Sequence, residues 1–228
     1  MNNLNLITKK INNMEFFSFK EENFKLIDNF FKLNYKVLEE FKNDKRTYVA
    51  KILIEDKEYI LKKIYINKKI KKFLSFFKKG EALSTFFNVH EVKNLGVNEL
   101  ADILIAGIER KNGIIVNEIV IMEYCLGEKT ITDENLLKVI PVLNKIYSLG
   151  RFHGDCNPGN FILNEKGNIK ILDTKLKKMW FGDYRKHYDI LTLMKHLKNK
   201  LEYPYKKNIF YYFAYMVRQI RNKKRGRK

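Results

Sequence analysis

The sequence has only two cysteines, Cys125 and Cys156, and it lacks any long apolar run. Two widely separated cysteines exclude a disulfide framework and a Cys-x-x-Cys metal site, so they favour a reducing compartment. The longest candidate membrane segment, Ile209 to Val217, has about half the length of a membrane span. The stretch MNNLNLITKK lacks the apolar centre of a signal peptide. We therefore expect a soluble protein on the cytosolic side.

Acidic residues are also scarce, because 26 Asp and Glu residues oppose 45 Lys and Arg residues. The net charge of +19 and the pI near 9.7 favour an anionic partner, such as nucleic acid, a membrane surface or a phosphorylated glycolipid. The segment from Arg218 to Lys228 has seven basic residues and no acid, which fits a protein that only binds nucleic acid or membranes. The alternative is compositional bias, since lysine, asparagine, isoleucine, phenylalanine and tyrosine are all abundant, as an AT-rich genome would produce.

The most informative stretch runs from Arg151 to Asp173, with the sequence RFHGDCNPGNFILNEKGNIKILD. Its pattern predicts a loop followed by a tight hairpin with strands at 161–163 and 169–172. Antiparallel pairing would bring Asn160 and Asp173 to the same end of the hairpin, beside Asp155 in the loop. An Asp and an Asn supply the hard oxygen ligands that Mg²⁺ prefers, and Asp155 is then free to act as a base.

Strands and helices are predicted on both sides of this stretch. Alternating apolar residues predict strands at Val37 to Phe41, Tyr48 to Ile54, Tyr59 to Ile64, Ala101 to Ile108 and Ile114 to Met122. Helical periodicity follows Gly80, and a short amphipathic helix is expected between Glu21 and Tyr35. Another helix carries apolar residues from Leu136 to Tyr147. Its expected N-cap is Asp133, and Pro141 predicts a kink or two short helices. The fold class is therefore α+β.

A motif in the loop resembles a known superfamily. His153-x-Asp155-x-x-x-x-Asn160, followed by Asp173, resembles the H-R-D-x-x-x-x-N catalytic loop and the metal-binding Asp of the protein-kinase fold. Gly154 replaces the Arg, as in kinase-like phosphotransferases that modify sugars and other small molecules. The resemblance implies that Asp155 is the catalytic residue, that Asn160 and Asp173 bind Mg²⁺, and that ATP donates the phosphoryl group.

The same resemblance implies nucleotide-binding residues earlier in the chain. Lys62 takes the place of the strand lysine that holds the α and β phosphates of ATP, and Lys63 on the opposite strand face is the alternative. Glu81 is the expected helix glutamate that pairs with this lysine. Glu91 is less suitable because the helix must end near Gly96.

Two further segments bear on nucleotide binding. Glu123 and Tyr124 fall where the hinge between two lobes is expected, and a hinge receives adenine mainly through backbone groups. The segment from Phe41 to Thr47, FKNDKRT, has no glycine where a kinase has its glycine-rich phosphate loop. Backbone amides of a tight turn, helped by Lys45 and Arg46, could still bind phosphate.

The runs EYILKKI, KKFLSFFKKGEAL, HGDCNPGNFIL and ILD together resemble the bacterial lipopolysaccharide core heptose(II) kinase family, across most of residues 37 to 200. The resemblance implies a protein-kinase-like two-lobed fold, with a small β-rich N-terminal lobe at about 37–124 and a shortened, mainly helical C-terminal lobe at about 125–217. A basic tail follows at 218–228. The implied activity is ATP-dependent phosphorylation of a heptose hydroxyl of the inner core. The implied place is the cytoplasmic face of the inner membrane, with peripheral membrane contact.

Other acceptors remain open. Only fifteen residues separate Asp173 from Asp189, and the A-P-E-type anchor of protein kinases is absent from the sequence, which favours a small-molecule or glycan acceptor. Asp189 is expected to cap the next helix and to brace the catalytic loop. Antibiotic, 3-deoxy-octulosonate and protein kinases of this fold are alternatives. A purely charge-driven binding protein has no use for converging metal-binding acids, so we do not expect a nucleic-acid partner.

Overall fold

The computed structural model describes residues 5–67, 69–129, 132–197 and 202–224. The chain divides into two compact units. Unit 1 comprises the described residues up to His90 together with Ala101–Tyr124, and unit 2 comprises Glu91–Leu100 and the described residues from Cys125 onward. Unit 1 is rich in strands, whereas unit 2 is mainly helical with short strands. The predicted α+β class is confirmed.

Unit 1 is built on a seven-stranded sheet. Its strands are β1 (Ile7–Ile11), β2 (Met14–Ser18), β3 (Lys36–Asn43), β4 (Thr47–Ile54), β5 (Lys57–Tyr65), β6 (Ile103–Lys111) and β7 (Ile114–Glu123). The order is β1-β2-β6-β7-β5-β4-β3, and every neighbouring pair is antiparallel. Strands β3 to β7 confirm the five predicted strands. Glu55 and Asp56 have φ values of 47° and 61°, as a tight hairpin turn between β4 and β5 requires.

Helix α1 (Phe24–Phe31) covers one face of this sheet. Phe24, Ile27 and Phe30 of α1 pack against apolar strand residues in one core. Because strand side chains alternate between faces, β5 contributes Leu61 to this core, and its next residue points to the other face. Helices α2 (Lys69–Ser75) and α3 (Glu81–Asn94) follow β5, and α3 continues into unit 2 from Glu91 onward.

Among its described residues, unit 2 contains the end of α3 and the helices α4 (Asp133–Ser148), α5 (Tyr184–Met194) and α6 (Ile209–Lys224). Its short strands are β8 (Glu128–Lys129), β9 (Arg151–Phe152), β10 (Phe161–Leu163), β11 (Ile169–Ile171) and β12 (Lys177–Lys178). Strands β11, β10 and β8 form one small sheet, and β12 pairs with β9. Leu100 forms a parallel bridge to Ile171, so the segment after α3 supports the hairpin.

The N-terminal region differs from the prediction. The strands β1 and β2 extend the sheet before Val37, where the predicted β-rich region begins. The cause is long-range pairing: Phe16 of β2 is fully buried beside Gly107 of β6. No local pattern identifies such a partner. The predicted short helix between Glu21 and Tyr35 forms as a 3₁₀ turn at Glu21–Asn23 followed by α1.

The helix ends also differ from the prediction. The N-cap of α4 is Thr132, whose hydroxyl accepts from the Asn135 N–H, so Asp133 is the first helical residue. The predicted alternative of two short helices at Pro141 is wrong, because α4 is continuous through this residue. Pro141 and Leu137, whose carbonyl lacks its usual partner, both lie on the exposed side, where water can supply the hydrogen bond.

Candidate active site

The β10–β11 hairpin forms as predicted. Its register pairs Phe161 with Ile171, and one residue further the carbonyl of Asn160 accepts from the Leu172 N–H at 2.7 Å. Asn160 and Asp173 therefore lie at the same end of the hairpin. Asp173 has a φ of 42°, which lies in the left-handed region.

Asp155 lies in the loop that enters this hairpin, and its backbone organises that loop. Its carbonyl accepts from the Asn157 N–H and from the side-chain Nδ2 of Asn160, both at 2.8 Å. Its exposed carboxylate also accepts from the side-chain amide of Asn157. Because the Asn160 NH₂ group is committed to Asp155, the amide oxygen is the atom that Asn160 can present to a cation.

Asp189 holds the start of the loop from helix α5. Its carboxylate is 1% exposed and accepts from the N–H groups of His153 at 2.8 Å and Gly154 at 3.1 Å. Burial raises the pKa of Asp189 to about 7, and the two N–H donors act in the opposite direction. The predicted bracing is confirmed. The predicted helix cap is wrong, because Asp189 lies inside α5, whose N-cap is Asp183.

His153 supports the loop as a neutral side chain. Burial lowers its pKa to about 4, with nearby Asp173 acting in the opposite direction. Its Nδ1 accepts from the Asp155 N–H at 3.2 Å, so the ring proton is on Nε2. Nε2 is buried and has no hydrogen-bond partner among the described residues. His153 therefore orients Asp155 and is not placed to exchange protons near neutral pH.

Arg151, which the sequence does not single out, anchors the chain just before the loop. Its side chain is almost fully buried, with Nη1 donating to the Leu176 carbonyl at 3.0 Å. Its Nη2 lies 2.5 Å from the carboxylate of Glu91 in the last turn of α3. This ion pair engages Glu91 within unit 2, which agrees with the expectation that Glu91 does not serve the strand lysine. The position of Arg151 next to the loop motif is the one feature of the sequence that could have identified it.

In unit 1, Lys62 and Lys63 point to opposite faces of β5. The Lys63 ammonium lies on the α1 side, 5.2 Å from the ring centre of Phe30, and burial lowers the pKa of Lys63. Lys62 lies on the other face. Ile64 pairs with Glu118 of β7, so Lys62 is the diagonal neighbour of this carboxylate. The strand geometry thus favours Lys62 over Lys63 as a residue with access to α3.

Glu118 is buried and is not among the residues that the sequence predicts. Its carboxylate accepts from the Ala82 N–H at 2.6 Å and so caps the N-terminus of α3. Burial raises the pKa of Glu118, and the N–H groups of Ala82 and Glu81 act in the opposite direction. A Cβ on Gly80, which has a φ of 91°, would lie 2.7 Å from the carboxylate. Glu81 is therefore held on the face to which Lys62 points. An acid inside the alternating strand IIVNEIVIME is the signal that could have identified Glu118.

The predicted hinge residues Glu123 and Tyr124 end unit 1. The Glu123 carboxylate accepts from the Asp102 N–H at 2.9 Å, and the Glu123 N–H donates to the Asp102 carbonyl at 2.9 Å. The ring of Tyr124 lies 4.2 Å from the Lys51 ammonium. Both side chains are engaged within unit 1, so a contact with adenine would fall to backbone groups.

The turn between β3 and β4 takes the place of a glycine-rich loop. Its backbone amides are engaged by a side chain, because Asp44 Oδ1 accepts from the N–H groups of Arg46 at 2.7 Å and Thr47 at 2.8 Å. These bonds lower the pKa of Asp44. A nucleotide phosphate could use the two amides only by replacing the Asp44 carboxylate.

The predicted site residues thus fall into two groups. Unit 1 holds Lys62, Glu81, Glu123 and Tyr124, and unit 2 holds Asp155, Asn160 and Asp173. In the part of the chain that the structure describes, no group of three or more His, Cys, Asp or Glu side chains is arranged to hold a metal ion. A metal site at the hairpin would therefore depend on one carboxylate and one amide oxygen.

Comparisons with known proteins bear on the activity. None of the helices in the described ranges has the length and apolar character of a membrane span. A search of curated proteins finds no match. A family model described as lipopolysaccharide core biosynthesis protein (WaaY) matches residues 5–227. The predicted phosphotransferase class is confirmed, since this family acts as the heptose(II) kinase of the lipopolysaccharide core. The chain belongs to the WaaY family of lipopolysaccharide core biosynthesis proteins.

Proposed function

We propose that this protein transfers the γ-phosphoryl group of Mg·ATP to a heptose hydroxyl of the lipopolysaccharide inner core, with Asp155 as the catalytic base. The observation that carries the assignment of roles is the loop from His153 to Asn160. Buried Asp189 holds its first amides, His153 and Asn160 bind the backbone of Asp155, and the carboxylate of Asp155 is left exposed. An acid fixed in this way is suited to orient a hydroxyl.

Asp155 would accept the proton of the acceptor hydroxyl as its oxygen bonds to the γ-phosphorus. The bond between this phosphorus and the bridging oxygen of ADP breaks in the same transfer, and ADP leaves with the electron pair. The acceptor hydroxyl would keep its proton until its oxygen begins to bond to phosphorus. The main contribution of the loop is therefore to position Asp155 and the hydroxyl.

Asn160 and Asp173 are the residues that would hold Mg²⁺. Both present oxygen atoms at one end of the hairpin, and Mg²⁺ binds such hard donors while keeping water and phosphate in its other positions. When bound, the ion would neutralise charge that develops on the transferred phosphoryl group. Asp173 is exposed, and its backbone lies in the left-handed region.

The nucleotide residues belong to unit 1 in this proposal. Lys62 would bind the α and β phosphates, and Glu81 would orient the Lys62 ammonium. The capping of α3 by Glu118 supports this pair, because it fixes the position of Glu81 on the same face of the sheet as Lys62. The backbone of Glu123 and Tyr124 would receive adenine.

We further propose that the two units are the lobes of a protein-kinase-like fold, with the chain passing between them at Tyr124 and Cys125. The first lobe, predicted at about 37–124, would then also include the N-terminal hairpin of β1 and β2. The second lobe would keep its predicted range of about 125–217. ATP and the charge of +19 support a place on the cytoplasmic face of the inner membrane, beside an anionic glycolipid. Peripheral contact through the basic segment 218–228 belongs to the same proposal.

The proposal is tested by incubating the protein with labelled ATP, Mg²⁺ and a panel of truncated core glycolipids, followed by mass spectrometry of the products. We expect one added phosphate on a heptose. Asp155→Asn should lower kcat by about 10² to 10⁴ with little change in ATP affinity. Glu165→Gln, the same change at an exposed residue of the hairpin turn, should not affect kcat. Phosphate on a 3-deoxy-octulosonate residue, or none on any glycolipid, would contradict the proposal.

A further inference from the structure

Unit 2 has a surface pocket that the proposed reaction does not use. Its volume is about 530 Å³, which lies within the range of ligand sites. Six residues define its character, the aromatic Phe152, Trp180 and Phe181 and the basic Lys177, Lys178 and Arg185. The lining is completed by further aromatic and apolar residues of α5 and α6. Among the described residues that line the pocket there is no carboxylate.

The pocket adjoins the catalytic loop within unit 2. Phe152 is three residues before Asp155, a distance that the chain can span only up to about 11 Å. Lys177 follows Asp173 by four residues and pairs with Phe152 across β9 and β12. The Lys175 N–H also donates to the His153 carbonyl at 3.0 Å. A molecule in the pocket therefore lies next to the place where Asp155 would receive a hydroxyl.

Two aromatic residues of the pocket, Trp180 and Phe181, are strongly exposed, whereas Phe152 and Tyr184 are buried beneath them. Trp180 is the one tryptophan of the chain, and it is 88% exposed. Phe181 is 57% exposed, although its ring also contacts Phe210 and Phe213 of α6 edge-on. Exposing such residues together is costly unless something covers them. The C–H face of a sugar ring has the size and shape to do so.

The basic residues are placed around this surface. The Arg185 guanidinium lies 5.0 Å from the ring centre of Phe152 and 5.0 Å from that of Tyr184, so two rings restrict its orientation. A guanidinium held in this way is suited to bidentate contact with a phosphate or carboxylate. Lys177 and Lys178 are exposed and add two mobile charges. Three cations without a carboxylate favour an anionic ligand over a neutral one.

From these observations we infer that the pocket binds a negatively charged sugar of the acceptor, adjacent to the heptose that receives the phosphoryl group. Trp180 covers the apolar face of the sugar ring, and Arg185 with Lys177 and Lys178 binds its phosphate or carboxylate. The inference rests on the proposed function in one respect, since it takes the acceptor to be a charged saccharide. It adds which surface of unit 2 receives the charged part of the acceptor.

A bare membrane surface is the competing ligand, because aromatic and basic residues also occur in proteins that bind lipid headgroups. The observations favour a saccharide because the residues form a pocket of molecular size. A lipid surface would be met by a broad flat or convex face. Anionic vesicles without glycolipid separate the two ligands.

Because Trp180 is the one tryptophan, its fluorescence reports on the pocket directly. The probe is a delipidated core oligosaccharide titrated into the full-length protein, and we expect a saturable change in tryptophan emission. The same oligosaccharide with its phosphate groups removed should bind at least about tenfold more weakly if the bound anion is a phosphate, and one with its carboxylates reduced to alcohols should do so if it is a carboxylate. Unchanged binding of both would overturn the inference. Lys177→Ala/Lys178→Ala should bind the native oligosaccharide at least about tenfold more weakly. Lys138→Ala/Lys166→Ala, which removes two exposed charges of unit 2 outside the pocket, should bind normally.

In turnover, Trp180→Ala should raise KM for the oligosaccharide about tenfold and leave KM for ATP unchanged. An exposed side chain can be removed without unfolding the protein, which circular dichroism would verify. Unchanged tryptophan emission while heptose is still phosphorylated would overturn the inference and leave the proposed function intact. Oligosaccharide binding without any transfer to heptose would support the pocket and contradict the proposed function. An equal emission change with anionic vesicles that contain no glycolipid would assign the surface to lipid and overturn the inference.

Discussion

The carboxylate of Glu118 lies 2.6 Å from the backbone nitrogen of Ala82, so a strand residue of unit 1 completes the N-terminus of helix α3. Removing this acceptor in Glu118→Ala leaves a helix N–H without a partner. We expect a loss of about 1 to 3 kcal/mol in the free energy of unfolding. We also expect a higher KM for ATP, because Glu81 is the first residue of α3. Chemical denaturation and steady-state kinetics measure the two effects.

Glu39→Ala is the matched control for this prediction, because Glu39 is an exposed carboxylate on edge strand β3. It should change neither quantity. Gly80→Ala tests the same contact from the other side, since the added Cβ would press on the Glu118 carboxylate and φ is 91° there. If Gly80→Ala and Glu118→Ala leave KM for ATP unchanged, the capping of α3 has no role in nucleotide binding.

The pKa of Asp189 predicts a particular pH dependence of stability. Its folded value of about 7 exceeds its ordinary value of 3.8, so between these values the folded protein holds a proton that the unfolded chain has lost. The stability contributed by this proton is complete below about pH 4 and is lost as the pH rises towards about 7. Asp189→Asn cannot titrate and should lack this component. Denaturation at a series of pH values measures it, and parallel profiles for the two proteins would contradict the assignment.

Asp173 allows the role of charge to be separated from that of backbone conformation. Its φ of 42° is adopted more readily by Asp and Asn than by Ala. Asp173→Asn should therefore keep the fold while lowering Mg·ATP turnover by about 10²-fold or more, because the charge at the proposed metal site is lost. Turnover as a function of Mg²⁺ concentration reports on the metal site, and the melting temperature reports on the fold. Normal turnover in the variant would remove Asp173 from the metal site.

The turn between β3 and β4 offers a test of how phosphate is held. If the Arg46 and Thr47 amides bind ATP, then Asp44 competes for them in the free enzyme. Asp44→Ala should free both amides and remove a negative charge, so KM for ATP should fall. A rise in KM, or no change, would show that the phosphates are bound elsewhere. Glu39→Ala, on the same hairpin, is the control for a general charge effect.

The features that could be predicted from the sequence are local ones. Asp155, Asn160 and Asp173 lie within one short stretch, so the alternation of its strands and its turn residues suffice to bring them together. Glu118 and Ala82 are 36 residues apart, and Arg151 and Glu91 are 60 apart. Neither pair has a spacing that a helix or hairpin would produce. Such contacts depend on how whole elements pack, which periodicity alone does not specify.

Local chemistry was also ambiguous where two neighbouring residues could fill one role. Thr132 and Asp133 are both good N-caps, and the choice of Thr132 adds one residue to α4 and places Asp133 in the first turn. Lys62 and Lys63 present the opposite case. Strand alternation predicts that they point to opposite faces, and the position of α1 decides which face is apolar.

The edge strand β3 has a consequence for the behaviour of the protein at high concentration. All of its residues are exposed, and its pairing with β4 is interrupted by register shifts between Val37 and Glu39 and between Glu40 and Lys42. Bulges and charged side chains on an edge prevent a second sheet from adding in register. The opposite edge, β1, carries Lys9 and Lys10. We therefore expect a sheet protected at both edges to resist strand-to-strand aggregation at high protein concentration.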